Sequence, residues 1–315
     1  MSELAHPLVS IVTPFYNEEH VVSHYFAAMD RLSATLPELT FEFVCVNDGS
    51  HDGTLARLLE VSERDRRVKV LDLSRNFGKE SALTAALDHA NGDAVIPLDA
   101  DLQDPPELIP ELISRWKAGA EIVLARRADR TSDGIVKRNM AVLFYRLHNR
   151  VSDHPIPEDV GDFRLMDRRV VEALRRLPER RRFMKGLFAW VGFRVQSVDY
   201  VRPPRVAGTT KFSGWRLWNF ALEGITSFST APLRIWTYVG LIVSTVAFLY
   251  GIFIITRTLM LGIDLPGYAS LLAAVLFLGG LQLIGIGVLG EYIGRIYTET
   301  KQRPIYVVRQ TYNCG

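Results

Sequence analysis

The sequence predicts an α/β protein built on a doubly wound, mostly parallel sheet, followed by interfacial helices and two transmembrane helices. Three observations carry this expectation. Short β-rich runs alternate with segments of helical periodicity, polar clusters stand where those runs end, and two long uncharged stretches occupy the C-terminal part of the chain. Alternating strand and helix patterns imply parallel strands joined by helical crossovers. In such sheets, ligands bind beyond the carboxyl ends of the strands.

The strand candidates are 8–13 (LVSIVT), 41–46 (FEFVCV), 68–73 (VKVLDL), 94–98 (AVIPL) and 121–125 (EIVLA). Between them, 51–64 and 79–90 repeat apolar residues at helical spacing. The polar clusters at the strand ends are TPFYNE (13–18), NDGS (47–50), SRNFGK (74–79) and DADLQD (99–104).

Composition narrows the function classes. Lys+Arg 37 against Asp+Glu 35 leaves a net charge of +2, which argues against a nucleic-acid binder held by bulk charge. The two cysteines, Cys45 and Cys314, offer neither a metal-ligand spacing nor a disulfide framework. The opening MSELAHPLVSIVTPF lacks a basic n-region and has only a short apolar run, so no cleavable signal peptide is expected.

Segments 235–256 and 265–290 hold no charged residue. Each exceeds the roughly 20 helical residues that a bilayer requires. Arg202, Arg205, Lys211, Arg216 and Arg234 precede the first, and Arg295, Lys301, Arg303 and Arg309 follow the second. The connecting RTLMLGID is nearly balanced, so the positive-inside rule predicts cytoplasmic termini. The expected organisation is a cytoplasmic α/β domain (1–210), an interfacial amphipathic helix (211–233), the first transmembrane helix (234–257), an external loop (258–264), the second transmembrane helix (265–290) and a cytoplasmic tail (291–315). Segment 178–193 (PERRRFMKGLFAWVGF) and the stretch bearing Trp215 and Trp218 mix bases with aromatics, a pattern suited to membrane lipids at the headgroup boundary. Core packing is the competing reading for both.

Gly285, Gly287 and Gly290 spell G-x-G-x-x-G inside the second span, with no strand before them. They are read as small residues for close helix packing rather than as a phosphate loop. Asp99 and Asp101 follow an apolar strand. Carboxylates at i and i+2 of a turn can share one hard cation, Mg²⁺ or Mn²⁺, with Gln103 adding an oxygen and diphosphate oxygens completing the shell. An isolated D-x-D is by default a solvated turn, and its context decides otherwise here.

TPFYNE, NDGS and LDADLQDPPE, in this order, resemble the family 2 glycosyltransferases of GT-A fold. The likeness continues through VGDFRL (160–165), Arg205-x-x-Gly208-x-x-Lys211, TAPLR before the first span, and LGEYIGRIY with RPIYVV after the second. Within that family the chain resembles polyprenyl-phosphate sugar transferases, closest to the bactoprenol glucosyltransferases and related to dolichol-phosphate mannose synthases and undecaprenyl-phosphate aminoarabinose transferases. The resemblance implies that Pro14, Tyr16 and Glu18 begin the nucleotide site, that Asp48 contacts base or ribose, that Lys79 joins that set, and that Asp99 and Asp101 bind the metal. Arg126, Arg138, Arg205 and Lys211 become candidate phosphate clamps, since two anionic substrates must be held together. Asp162 in VGDFRL matches a functional acid that orients the acceptor or completes the metal site.

The implied reaction is inverting transfer of one sugar from a nucleotide sugar, UDP-glucose in the closest branch, to undecaprenyl phosphate at the bacterial cytoplasmic membrane. A mannose or aminoarabinose donor is the alternative. Absence of Q-x-x-R-W argues for single transfer rather than processive synthesis. A noncatalytic nucleotide-binding membrane scaffold is the competing class, disfavoured by the intact acidic motifs. The Gly-rich second span is compatible with a homo-oligomer.

Overall fold

The computed structural model describes residues 6–128, 157, 160–180, 182–201, 231–261 and 267–314. Its centre is an eight-stranded sheet: β1 (Leu8–Phe15), β2 (Thr40–Asn47), β3 (Val68–Leu73), β4 (Ala94–Pro97), β5 (Ile122–Arg127), β6 (Val160–Asp167), β7 (Val195–Tyr200) and β8 (Val308–Tyr312). They lie in the order β7-β5-β6-β4-β1-β2-β3-β8. Strands β1 to β5 and β7 share one direction, and β6 and β8 run against it. The sheet is therefore mixed, with the mostly parallel character expected from the alternating pattern.

β1, β2 and β4 are buried along nearly their whole length. That explains their continuous apolar runs, because a central parallel strand is covered on both faces. One face packs against α1 (Val22–Thr35), α2 (Thr54–Arg64) and α4 (Ile109–Lys117). The other packs against α3 (Lys79–His89), α5 (Arg168–Arg175) and α6 (Met184–Trp190). In α1, Val22, Tyr25, Phe26, Met29 and Leu32 are buried, the stripe that a 3.6-residue period sets against a sheet. Asp167 ends β6 and starts α5, its carboxylate accepting from the Arg169 N–H at 3.0 Å as a helix N-cap.

Two expectations need correction. Segment 178–193 is not an interfacial helix: Phe183, Met184, Leu187 and Phe188 are buried, packing α6 into the core, and only Trp190 on it is a strongly exposed aromatic. The basic residues misled because Arg182 turns inward and donates to the Leu174 and Leu177 carbonyls. The end of the chain is not a free tail either. The second long helix continues to Thr300, and 308–312 pairs antiparallel with β3 as an edge strand.

The long helices are α7 (Ala231–Leu261) and α8 (Tyr268–Thr300). Within them Ile235–Ile254 and Phe277–Thr300 are long and apolar enough to cross a membrane, and almost none of either window is buried. Helices with apolar residues exposed all round suit lipid rather than water. A Cβ on Gly285 would fall 2.0 Å from the Trp236 indole nitrogen, so α7 and α8 approach there only because that position is glycine. The glycine pattern thus lies within a helix, away from any strand end; Gly285 is at the contact with α7, while Gly287 and Gly290 face open space. The second interfacial stretch, with Trp215 and Trp218, lies outside the described residues.

Candidate active site

The carboxyl ends of β1, β2 and β4 and the start of α3 surround a cavity of about 260 Å³. It is lined by Pro14, Phe15, Tyr16, Glu18, Asp48, Asn76, Gly78, Lys79, Asp99, Ala100 and Asp101. Seven of these lining residues, Pro14, Tyr16, Glu18, Asp48, Lys79, Asp99 and Asp101, were singled out from the sequence. Tyr16 is 43% exposed, which removes it from the core packing that would otherwise explain it.

Local hydrogen bonds fix the loops. The Asn17 N–H donates to Ser50 Oγ at 3.0 Å, the His51 N–H to Asn17 Oδ1 at 2.9 Å, and the Glu18 N–H to Thr54 Oγ1 at 2.8 Å. The first loop is thereby stitched to the second. Asp48 is buried, and its two oxygens accept from the Phe77 and Gly78 N–H groups at 2.7 and 2.9 Å. Burial raises its carboxyl above the usual range against those two donors. Besides lining the cavity, Asp48 therefore holds the SRNFGK loop. That loop passes so close to the turn after Asp48 that a Cβ on Gly49, whose φ is +63°, would fall 2.3 Å from the Arg75 carbonyl carbon. Only glycine serves there.

The same loop is held from the far end of the chain. Arg309 on β8 donates to the Asp72 carboxylate at 3.3 Å and to the Ser74 carbonyl at 2.8 Å, while the Ser74 N–H donates to the Val307 carbonyl at 2.9 Å. Asp72 also accepts from Asn47 Nδ2 at 2.8 Å, next to Asp48.

Asp99 and Asp101 sit in a turn that puts Leu102 at φ +49°, a sparsely populated region for a branched residue. Lys79 Nζ lies 2.8 Å from Asp99 Oδ1 and 2.8 Å from Asp162 Oδ2, so one ammonium bridges the D-A-D turn and the VGDFRL strand. Burial works against the Lys79 charge, but Asp162 and Asp99 more than offset it and raise its pKa. Asp99 is itself raised, first by burial and then by Asp162 and Asp101, with Lys79 opposing. Asp162 is lowered: burial is outweighed by Lys79, Lys185 and Arg164. Glu18 is raised by burial and by the repulsion of Asp101, Asp52 and Asp99.

These carboxylates repel one another around a single bridging lysine, and Asp162 Oδ1 is buried without a hydrogen-bond partner. The donor set fits a hard divalent cation. Among the described residues no three His, Cys, Asp or Glu side chains group into a complete metal site. Asp99 and Asp101 would supply protein oxygens, leaving positions for a ligand's diphosphate. Gln103 does not line the cavity; its backbone N–H donates to Asp101 Oδ1 at 3.2 Å and steadies the turn.

Arg126 does not line the cavity either. It reaches across to β7 and makes a two-point pair with Asp199 at 2.6 and 2.9 Å. Arg138, Arg205 and Lys211 lie outside the described residues. Nothing in the sequence marks Glu80, since an acid in the first turn of α3 carries no special pattern. It accepts from the Met184 N–H at 3.2 Å, and burial, with repulsion from Asp162, pushes it up to about 7.

Residues 10–175 match the model of glycosyl transferase family 2, and 231–296 match the GtrB C-terminal hairpin. The chain is 55% identical to the prophage bactoprenol glucosyl transferase homolog of Escherichia coli K12, over 96% of this chain and 98% of that protein. It is also 55% identical to the bactoprenol glucosyl transferase of Shigella phage SfII, over the same shares. Among solved structures, it is similar to glucosyl-3-phosphoglycerate synthase from Mycobacterium tuberculosis, crystallised with Mn²⁺, uridine diphosphate and phosphoglyceric acid. That match has 20% identity and a TM-score of 0.48 over 70% of this chain and 76% of that one. With more than half of its length matched by the family model and relatives aligned nearly end to end, the chain belongs to glycosyl transferase family 2.

Proposed function

We propose that the protein transfers a single glucose from UDP-glucose to undecaprenyl phosphate at the cytoplasmic face of the bacterial membrane. The observation that carries this reading is the nearly end-to-end 55% identity to bactoprenol glucosyl transferases, in a chain whose Asp99, Asp101 and Lys79 converge on one cavity.

In this reading the nucleotide enters between Tyr16, Glu18 and Asp48, with its diphosphate directed toward Asp99 and Asp101. A phosphate oxygen of the acceptor attacks the anomeric carbon, a new carbon–oxygen bond forms there, and the bond to the nucleotide diphosphate breaks with inversion. A phosphate monoester loses its second proton near pH ~6, so the nucleophile is already charged and no side-chain base is required. Mg²⁺ or Mn²⁺ held by Asp99 and Asp101 would neutralise charge on the departing diphosphate. Lys79 keeps Asp99 and Asp162 at fixed separation and supplies positive charge beside them. Arg138, Arg205 and Lys211 complete the phosphate clamp from segments outside the described residues.

Purified full-length protein in detergent, given undecaprenyl phosphate and a panel of labelled nucleotide sugars, is expected to form a lipid-extractable glucosyl product. Preferential use of GDP-mannose or of an aminoarabinose donor would replace the sugar assignment. Label found only in water-soluble hydrolysis products would overturn the transferase reading.

The membrane arrangement proposed with it has both termini and the catalytic domain cytoplasmic, joined by one short external loop after α7. A cysteine at Leu261 is expected to react with an impermeant thiol reagent in intact cells, after outer-membrane permeabilisation where there is one, and a cysteine at Ser213 is not. The reverse pattern would put the nucleotide site on the wrong side of the membrane.

A further inference from the structure

Strand β8 carries a bulge where it passes the active-site loops. It pairs Tyr312 with Val70, Thr311 with Leu71 and Gln310 with Asp72 of β3, and then skips to Val308 with Leu73. Arg309 therefore opposes no residue of β3, and a bulge at such a position re-aims a side chain. Its guanidinium meets the Asp72 carboxylate at 3.3 Å and the Ser74 carbonyl at 2.8 Å. The Arg309 side chain is 60% exposed but that of Asp72 only 3%, so this is not an ordinary surface pair. A carboxylate that deep needs donors, and it receives Arg309 on one oxygen and Asn47 Nδ2 on the other.

We propose that Arg309 is a positioning residue for the donor nucleotide: it holds loop 74–78 at the cavity, so that nucleotide affinity depends on the edge strand that follows the second long helix. The inference rests on the reading that this cavity takes a nucleoside diphosphate sugar, and it adds a residue outside the cavity that shapes it. Asn76 and Gly78 of the loop line the cavity, and the loop leads into Lys79. Its far end is fixed by Asp48, which accepts from the Phe77 and Gly78 N–H groups. Its near end is fixed by β8 and the residue before it, with the Ser74 N–H on the Val307 carbonyl and the Ser74 carbonyl on Arg309.

The same arginine reaches the other nucleotide loops through Asp72. Asn47, which donates to Asp72, accepts from the Ser50 N–H at 3.4 Å, and Ser50 Oγ accepts from the Asn17 N–H at 3.0 Å. A run of bonds thus joins β8 to NDGS and to the loop that carries Tyr16 and Glu18. The strand itself is pinned without Arg309. Before it, the Tyr306 hydroxyl donates to Asp88 at 2.9 Å; after it, Asn313 Nδ2 donates to the Ser62 and Val68 carbonyls at 2.6 and 3.2 Å. Removing the guanidinium therefore frees the loop and leaves the strand in place. The D-A-D turn keeps its own bonds, the Leu102 N–H on the Asp99 carbonyl and the Gln103 N–H on Asp101, so the effect falls on nucleotide binding rather than on the transfer step.

The test uses the full chain in detergent and reads amide hydrogen exchange, equilibrium binding of UDP with Mn²⁺, and steady-state transfer. Arg309→Met is expected to speed exchange in 74–78 and to weaken UDP binding, each about tenfold, with KM for UDP-glucose raised to match. Exchange in 99–104, kcat and KM for undecaprenyl phosphate should stay within about twofold, as should every value for Gln310→Ala, an exposed neighbour on the same strand. Adding Asp72→Asn to Arg309→Met removes the buried charge. It is expected to return the thermal unfolding midpoint toward that of the unaltered chain while UDP affinity stays low, because the bond to the Ser74 carbonyl is still missing. Unchanged exchange in 74–78, unchanged UDP affinity, an equal loss in Gln310→Ala, or UDP affinity regained in the double variant would each overturn the assignment. Transfer separates it from the proposed function. A chain whose variants respond as expected, yet which makes no glucosyl lipid unaltered, keeps this assignment and loses that function. Normal glucosyl transfer with an unaltered KM for UDP-glucose in Arg309→Met does the opposite.

Discussion

Asp101→Asn is expected to lower sugar transfer on the order of 1,000-fold while leaving the protein folded, and excess EDTA should do the same to the unaltered chain. The reasoning begins with the side chain's environment. Asp101 is exposed at the cavity mouth, and the bond its carboxylate accepts comes from the Gln103 N–H at 3.2 Å, which an asparagine oxygen still accepts. Substitution at such a position changes stability by roughly 0.5 kcal/mol or less. What it removes is one of the two carboxylates that, in the function proposed above, would hold a divalent cation beside the diphosphate. A neutral amide neither holds a hard divalent ion as tightly nor balances its charge. Adding Mg²⁺ or Mn²⁺ should restore chelator-treated protein and leave the variant inactive. Full transfer in excess chelator would remove the metal from the mechanism.

Lys79→Met is expected to lower the rate on the order of 100-fold at neutral pH, with the acid limb of the pH profile moved to higher pH. Lys79 lies 2.8 Å from both Asp99 and Asp162, and it lowers the pKa of each. Without it the two carboxylates face each other in a site where burial already favours their neutral forms. Their pKa values rise, a larger fraction is protonated at neutral pH, and deprotonation at alkaline pH recovers part of the lost rate. Lys79→Arg keeps the charge with a different shape and should retain more activity than Lys79→Met. A loss of equal size at every pH would show that Lys79 acts directly on substrate phosphate rather than through Asp99 and Asp162.

The parts of the fold that were legible are those whose burial is uniform. β1, β2 and β3 lie centrally between two helical layers, so their sequences are near-continuous apolar runs with little ambiguity. β6 shows in the sequence only as a motif, because VGDFRLMD carries Asp162 and Arg164 in its interior. Asp162 pairs there with Lys79, which lines the active-site cavity, and Arg164 is buried with its guanidinium on the Gly161 and Asp162 carbonyls. β8 is short and polar at a sheet edge, and pairs with β3 only after the chain has passed through both long helices. No local pattern signals a partner so distant. In α6 the bases and aromatics looked interfacial, yet Arg182 spends its donors on backbone carbonyls while Phe183 and Phe188 fill the core.

The site shows the same division. Asp99 and Asp101 were legible because their spacing at a strand end is itself the chemical feature. The bridge from Lys79 to Asp162 was not, since it joins the start of α3 to a strand far along the chain. Arg126 shows the opposite failure, a clamp candidate by composition that the fold pairs with Asp199. Gln103 contributes to the turn through its backbone, which no side-chain pattern can reveal.

The most direct test of the central claim, single-sugar transfer from nucleotide to lipid phosphate at the Asp99 and Asp101 cavity, is mass analysis of the lipid product. Purified full-length chain would be supplied with undecaprenyl phosphate, UDP-glucose and Mg²⁺ or Mn²⁺, with Asp101→Asn run in parallel. The account predicts undecaprenyl phosphate bearing one hexose on its phosphate, one UDP released for each, and no product from the variant. A lipid carrying several sugars, or an equal yield from Asp101→Asn, would contradict it.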